Sequence, residues 1–123
     1  MKKLRVLIAD DQALFAEALR AVLALDERLE VVGLAANGQE AVDKASELKP
    51  DVVLMDISMP ILDGVEATKR LREQLPGTCV LMLTGSNARG DVNRSRKAGA
   101  SGYVTKDRIA AELVEAIVDV AAR

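Results

Sequence analysis

The sequence predicts an α/β domain, a parallel sheet covered by helices on both faces. Three observations lead there. Short apolar runs alternate with helix-forming, amphipathic stretches five times along the chain. The connections are short, and no repeat or low-complexity linker interrupts them. The apolar runs show little polar alternation, as strands buried on both faces should. The 123 residues suffice for one domain with one core. Half of them are hydrophobic, yet only Phe15 and Tyr103 are aromatic, so Leu, Val, Ile, Ala and Met must build that core.

The elements follow in order. Leu4 to Ala9 is an apolar run of strand length, and Asp10-Asp11 follows it directly. Gln12 to Leu25 is rich in helix formers, with Phe15, Ala18, Leu19, Val22 and Leu25 as the expected core stripe. Leu29 to Ala35 reads as a second strand, closed by the turn signal Asn37-Gly38. Gly38 to Leu48 is an amphipathic helix turning Ala41, Val42, Ala45 and Leu48 inward. Val52 to Met55 is the central strand, and Asp56 sits at its carboxyl end. Met59-Pro60 closes this strand, because proline has no N–H to give a ladder. Ile61 to Gln74 is a third helix, and Thr78 to Leu83 a fourth strand that ends at Thr84-Gly85-Ser86. Asn87 to Gly99 is weakly helical: it is very polar, Val92 is its only large aliphatic residue, and Gly90 weakens it further. It is expected to be the least stable element. Gly102 to Val104 is a short fifth strand leading to Thr105 and Lys106, and Arg108 to Ala122 is the last helix.

Composition excludes several classes. A net charge of −2 gives no broad basic field for nucleic acid or an anionic membrane. No run of about 18 apolar residues is present to span a bilayer. The start, Met1-Lys2-Lys3-Leu4, reads as a first strand rather than a signal peptide, since its apolar run soon meets Asp10 and Asp11. The single cysteine, Cys79, allows no disulfide within the chain, which fits a reducing cytoplasm. The absence of histidine removes His-based catalysis and His metal sites.

A parallel sheet brings all its carboxyl ends to one side, where ligands of such folds bind. Asp10-Asp11, Asp56, Thr84 and Lys106 all follow strands and should meet there. Three carboxylates in one crevice raise each other's pKa, and a cation relieves them. All-oxygen ligation suits a hard ion, Mg²⁺ or Mn²⁺. Taken singly, each residue has a plainer reading. The Asp pair can serve a helix N-terminus, Lys106 a structural ion pair, and Thr84 a strand end. Gly85 leaves space for an incoming group, or serves a turn.

These residues resemble the two-component response regulator receiver domain of the NarL/FixJ (LuxR-type) family. The resemblance covers essentially the whole chain. It is carried by Asp10-Asp11, Met55-Asp56-Ile57-Ser58-Met59-Pro60, Asp63-Gly64, Thr84-Gly85, Lys97-Ala98-Gly99-Ala100 and Gly102-Tyr103-Val104-Thr105-Lys106-Asp107. It implies a flavodoxin-like (βα)5 sandwich with strand order 2-1-3-4-5, an order that receiver proteins exemplify. It also implies that Asp56 accepts a phosphoryl group from a sensor histidine kinase. Asp11, Asp56 and the Ser58 backbone carbonyl would hold Mg²⁺, with Asp10 acting largely through water. Thr84 and Lys106 would contact phosphoryl oxygens. Water attack on the acyl phosphate would give slow self-dephosphorylation, under the influence of Ser58 and Ser86. Thr84 and Tyr103 would form the switch, Tyr103 turning inward; on its own, Tyr103 is a half-buried strand tyrosine.

Two departures bear on these expectations. Many receivers have proline after the lysine, often with a cis bond, whereas Asp107 stands here, as is usual in the NarL/FixJ branch. That branch carries a C-terminal DNA-binding domain. Such a domain, if present, lies beyond Arg123, and otherwise the chain is a standalone receiver. Contact with DNA would run only through that domain. Both end helices are apolar beyond their core faces, with Leu14, Ala21 and Ala24 on the first and Ala111, Val114, Val118 and Ala122 on the last. This suggests a homodimer through the two helices, and the kinase is expected to dock near the first. Two other classes fit less well. A phosphohydrolase with an aspartyl nucleophile needs a second acid where Ser58 stands. A flavodoxin-like cofactor binder needs a hydroxyl- or glycine-rich loop where Asp10-Asp11-Gln12 stands.

Overall fold

The structure, a computed structural model, describes residues 2–85 and 89–122. It contains strands β1 (Leu4–Ala9), β2 (Leu29–Ala35), β3 (Val52–Asp56), β4 (Cys79–Thr84) and β5 (Gly102–Thr105). The helices are α1 (Ala13–Leu23), α2 (Gly38–Leu48), α3 (Gly64–Gln74), α4 (Arg89–Ala98) and α5 (Ile109–Ala121). The strands form one parallel sheet in the order β2-β1-β3-β4-β5, the flavodoxin-like arrangement expected. Among the described residues no helix is long and apolar enough to cross a membrane.

The pleat sorts each strand between two cores. Leu7, Ala9, Val53, Met55, Val80 and Met82 face α2 and α3, with Ala98 of α4 at the margin. Val6, Ile8, Val52, Leu54, Leu81 and Leu83 face α1 and α5. Every residue of β3 is buried: the apolar run Val52–Met55 as its composition requires, and Asp56 at its end.

Element ends differ from the sequence reading by a few residues, and the buried face of the first helix differs too. The third helix starts at Gly64 rather than Ile61, because the Asp63 side chain caps it by accepting from the Glu66 N–H at 2.8 Å. Ile61 is left in the preceding loop with a φ of 71°, and its side chain is 81% exposed. The first helix buries Ala16, Leu19 and Leu23 with Phe15 half-buried, while Ala18, Val22 and Leu25 point to solvent. Before α5, Lys106–Arg108 forms a single 3₁₀ turn. No described peptide bond is cis, so Lys106 and Asp107 are joined in trans. The polar segment forms a helix over Arg89–Ala98, with Ser95 and Ala98 its fully buried residues. Ser86 and Asn87 lie outside the described residues.

Candidate functional site

Register builds the site. Ala9 of β1 pairs with Met55 of β3, so Asp10 and Asp56 come level at the carboxyl edge. The Asp10 N–H donates to the Ala35 carbonyl at 2.9 Å, carrying the sheet one residue past β1. Asp56 pairs with Leu83, and Thr84 with Thr105, so Lys106 emerges one residue beyond. By alternation Asp10 and Asp56 share the face of Ile8 and Leu54, the side covered by α1 and α5. Thr84 falls on the opposite face together with Tyr103, whose β4 partner is Met82.

The expected acids converge. One carboxylate oxygen from each of Asp10, Asp11 and Asp56 lies within 4.8 Å of the others. Asp10 and Asp56 are buried, whereas Asp11 is exposed. The Lys106 Nζ reaches Asp10 Oδ2 at 3.3 Å and Asp56 Oδ2 at 3.7 Å. Asp10 also accepts from the Gln12 N–H at 2.8 Å, which fixes the turn into α1. Thr84 is buried at the end of β4. The Ser58 side chain is exposed, and its N–H donates toward Asp56 Oδ1 over a long 3.5 Å. Tyr103 is 43% exposed and borders an open cleft of about 270 Å³ between α4 and β5. A Cβ on Gly85 would meet no atom within 4 Å, so that approach is open among the described residues.

Burial, and next the charge of Asp10, push the Asp56 carboxyl above the usual carboxylate range. Lys106 and the Ser58 N–H oppose that rise, and Asp11 adds to it. The site is therefore a buried anion under tension, with oxygen donors from three acids facing one another. That donor set fits a hard divalent cation, which would remove the repulsion.

Two contributors are not legible from residue type. A Cβ on Gly64 would lie 2.1 Å from the Asp56 carbonyl oxygen, and the Gly64 N–H donates to the Ile57 carbonyl at 3.0 Å. A Cβ on Gly38 would lie 2.0 Å from the Leu62 carbonyl oxygen. The N-terminal ends of α2 and α3 thus close on the loop that follows Asp56, and only glycine permits the approach. The other is Phe15, expected in the core, whose ring lies under Lys106 with its centroid 4.5 Å from Nζ.

Comparison with known proteins agrees with this geometry. Residues 6–118 match the family model described as the response regulator receiver domain. The transcriptional regulatory protein LnrK of Bacillus subtilis is 45% identical over 117 residues, covering 95% of this chain and 53% of its own. DegU of Brevibacillus brevis, also a transcriptional regulatory protein, is 40% identical over 97% of this chain and 50% of its own. The chain thus spans about half the length of these curated relatives. The receiver domain of the response regulator NarL from Mycobacterium tuberculosis superposes with a TM-score of 0.94 at 33% identity, covering 99% of this chain and 98% of that one. With the sheet order, the acid cluster and these relatives in agreement, the chain belongs to the response regulator receiver domains of two-component systems, in their NarL/LuxR-type branch.

Proposed function

We propose that this domain is a phosphorylation-driven switch in which Asp56 takes a phosphoryl group from the phosphohistidine of a sensor histidine kinase. The observation that carries this reading is the convergence on Asp56 of two further acids and the Lys106 ammonium. An Asp56 oxygen attacks phosphorus, the phosphorus–nitrogen bond breaks, and the imidazole leaves and takes up a proton. The product is an acyl phosphate, from which water later displaces the Asp56 carboxylate and releases inorganic phosphate. Such transfers depend on positioning and on neutralising oxygen charge. Lys106 supplies one cation for that purpose, and Thr84, at the same sheet edge, a hydroxyl donor. Asp10, Asp11 and Asp56, with the Ser58 carbonyl, would hold Mg²⁺ or Mn²⁺, which when bound neutralises phosphoryl oxygen charge. The domain catalyses only its own phosphorylation and slow dephosphorylation.

Phosphorylation adds roughly −1.5 to −2 charges beside Thr84. Thr84 and Tyr103 share a sheet face, and the α4–β5 cleft lies beside the tyrosine. A shift of Thr84 toward the phosphoryl group lets Tyr103 turn into that cleft and reshapes the output surface. Exposed Leu14 (88%) and Ala21 on α1, with half-buried Val114 and Val118 on α5, support a homodimer through these two helices. The output would be a DNA-binding domain beyond Arg123, as in transcriptional regulators, acting in the cytoplasm.

Incubation with acetyl phosphate and Mg²⁺, followed by intact mass measurement, tests the reading. One phosphoryl adduct, lost in Asp56→Asn, supports it. Rapid acetyl phosphate turnover without adduct supports a hydrolase instead. Val114→Asp with Val118→Asp is expected to abolish phosphorylation-dependent dimerisation in sedimentation experiments, and an unchanged dimer would exclude this interface.

A further inference from the structure

Lys106 is held on three sides. Two are the carboxylates of Asp10 and Asp56, at 3.3 and 3.7 Å from Nζ. The third is the ring of Phe15, 4.5 Å from Nζ to its centroid. The ring arrives there by construction. The chain turns at Asp10-Asp11-Gln12, α1 starts at Ala13, and Phe15 falls in its first turn. That helix covers the sheet face to which alternation assigns Asp10 and Asp56.

A lysine ammonium is a compact, strongly hydrated charge on a flexible stem. Asp10 accepts from one of the ammonium's N–H donors at 3.3 Å, and Asp56 attracts its charge from 3.7 Å. An incoming phosphoryl group needs those same donors, so the acids both place Lys106 and compete for it. An aromatic face attracts the cation through its quadrupole whichever way the N–H groups point. It can therefore hold the nitrogen in place while the donors swing from carboxylate to phosphoryl oxygen. An aliphatic side chain of similar size excludes water but does not hold the charge.

We propose that Phe15 is a positioning residue for phosphoryl transfer, its ring holding the Lys106 ammonium where that group meets the phosphoryl oxygens. The inference rests on the reading of Asp56 as phosphoacceptor. It makes the first turn of α1 part of the reaction site as well as part of the core.

The test replaces Phe15 in the full chain with mono-, tri- and pentafluorophenylalanine. These keep a ring of nearly constant size while draining its negative face. The readout is the rate of adduct formation from acetyl phosphate with Mg²⁺, with the melting midpoint measured in parallel. The rate is expected to fall stepwise with fluorination, to about three- to tenfold below the unsubstituted chain for the pentafluoro ring. Phe15→Leu is expected to match the pentafluoro chain, and Phe15→Tyr to restore the rate. A ring that only fills space would give no gradient. Equal rates across the fluorinated series overturn the role of Phe15 while leaving Asp56 as acceptor. An unsubstituted chain that forms no adduct overturns both.

Discussion

Replacing Asp56 with Asn removes a buried charge at almost constant volume, and is expected to stabilise the domain in the absence of divalent ions. Asp56 is 6% exposed. At an effective dielectric constant near 20, unit charges 3.7 Å apart (Lys106) interact by about 4–5 kcal/mol, and charges no more than 4.8 Å apart (the acid cluster) by at least about 3–4 kcal/mol. The attraction of Lys106 and the repulsion of Asp10 therefore nearly offset each other. Asp11 adds a second repulsion, but it is exposed, and water reduces it to about 1 kcal/mol or less. Burial of the carboxylate adds to that cost, giving an expected gain on the order of 1–2 kcal/mol for Asn, or roughly 3–8 °C in Tm for a domain of this size. The effect has a defined pH dependence. The folded-state pKa of Asp56 is raised above the ordinary 3.8, so folding favours the protonated acid. This contribution to stability is intact below pH 3.8 and is lost as pH rises through the folded-state pKa. The advantage of Asn is accordingly small in acid and complete at neutral pH. Mg²⁺ is expected to act in the opposite sense, because an ion that binds only the folded state stabilises it by RT ln(1 + [L]/Kd). Asp56→Asn has lost one of the proposed ligands and gains less. Urea denaturation with EDTA and with Mg²⁺, at neutral and acid pH, measures all of this. An Asn variant no more stable than the wild type in EDTA at pH 7 would refute the reasoning.

Other outcomes follow from single features. Ile61→Gly is expected to stabilise the domain by about 0.5–1 kcal/mol in urea midpoints, since relief of a left-handed β-branched residue outweighs the added freedom of the unfolded chain. A loss of stability would show that the exposed side chain makes a contact of value. Gly64→Ala is expected to destabilise by about 3 kcal/mol or more, because its Cβ would lie 2.1 Å from a backbone oxygen that cannot swing away. A wild-type denaturation midpoint there would contradict the close approach. In hydrogen exchange, the amides of α4 are expected to exchange before those of the other helices, and exchange as slow as in α3 would count against its weak anchorage.

The sheet and the acid cluster were readable because their signals are local and redundant. Each strand is an apolar run, and a parallel arrangement puts every strand end on one side, so Asp10, Asp56, Thr84 and Lys106 had one place to meet. The buried face of α1 was not readable from periodicity. Ala13, Leu14, Phe15, Ala16, Ala18, Leu19, Ala21, Val22 and Leu23 leave almost no polar face to mark the outside. Two stripes a residue apart are then equally apolar, and tertiary packing chose Ala16, Leu19 and Leu23. The start of α3 was written in Asp63 and Glu66, a cap with an acid three residues on, but helix formers upstream suggested an earlier start. What Phe15 and the two glycines touch depends on distances between elements, which spacing along one element does not encode.

The glycine contacts also divide the domain mechanically. The loop after β3 is pinned between the ends of two helices, each too close for even a methyl group. Asp56, the proposed acceptor, therefore stands on backbone with little room to move. Toward the β5 edge of the same face, α4 is held chiefly by Ser95 and Ala98 and lies over an open cleft. Under the proposed switch, strain introduced by a phosphoryl group on Asp56 would be taken up on the more weakly packed side, and so would have a direction before any partner is present. On that reading, substitutions on α4 would retune the output surface while leaving the proposed chemistry on the stiff side as it is.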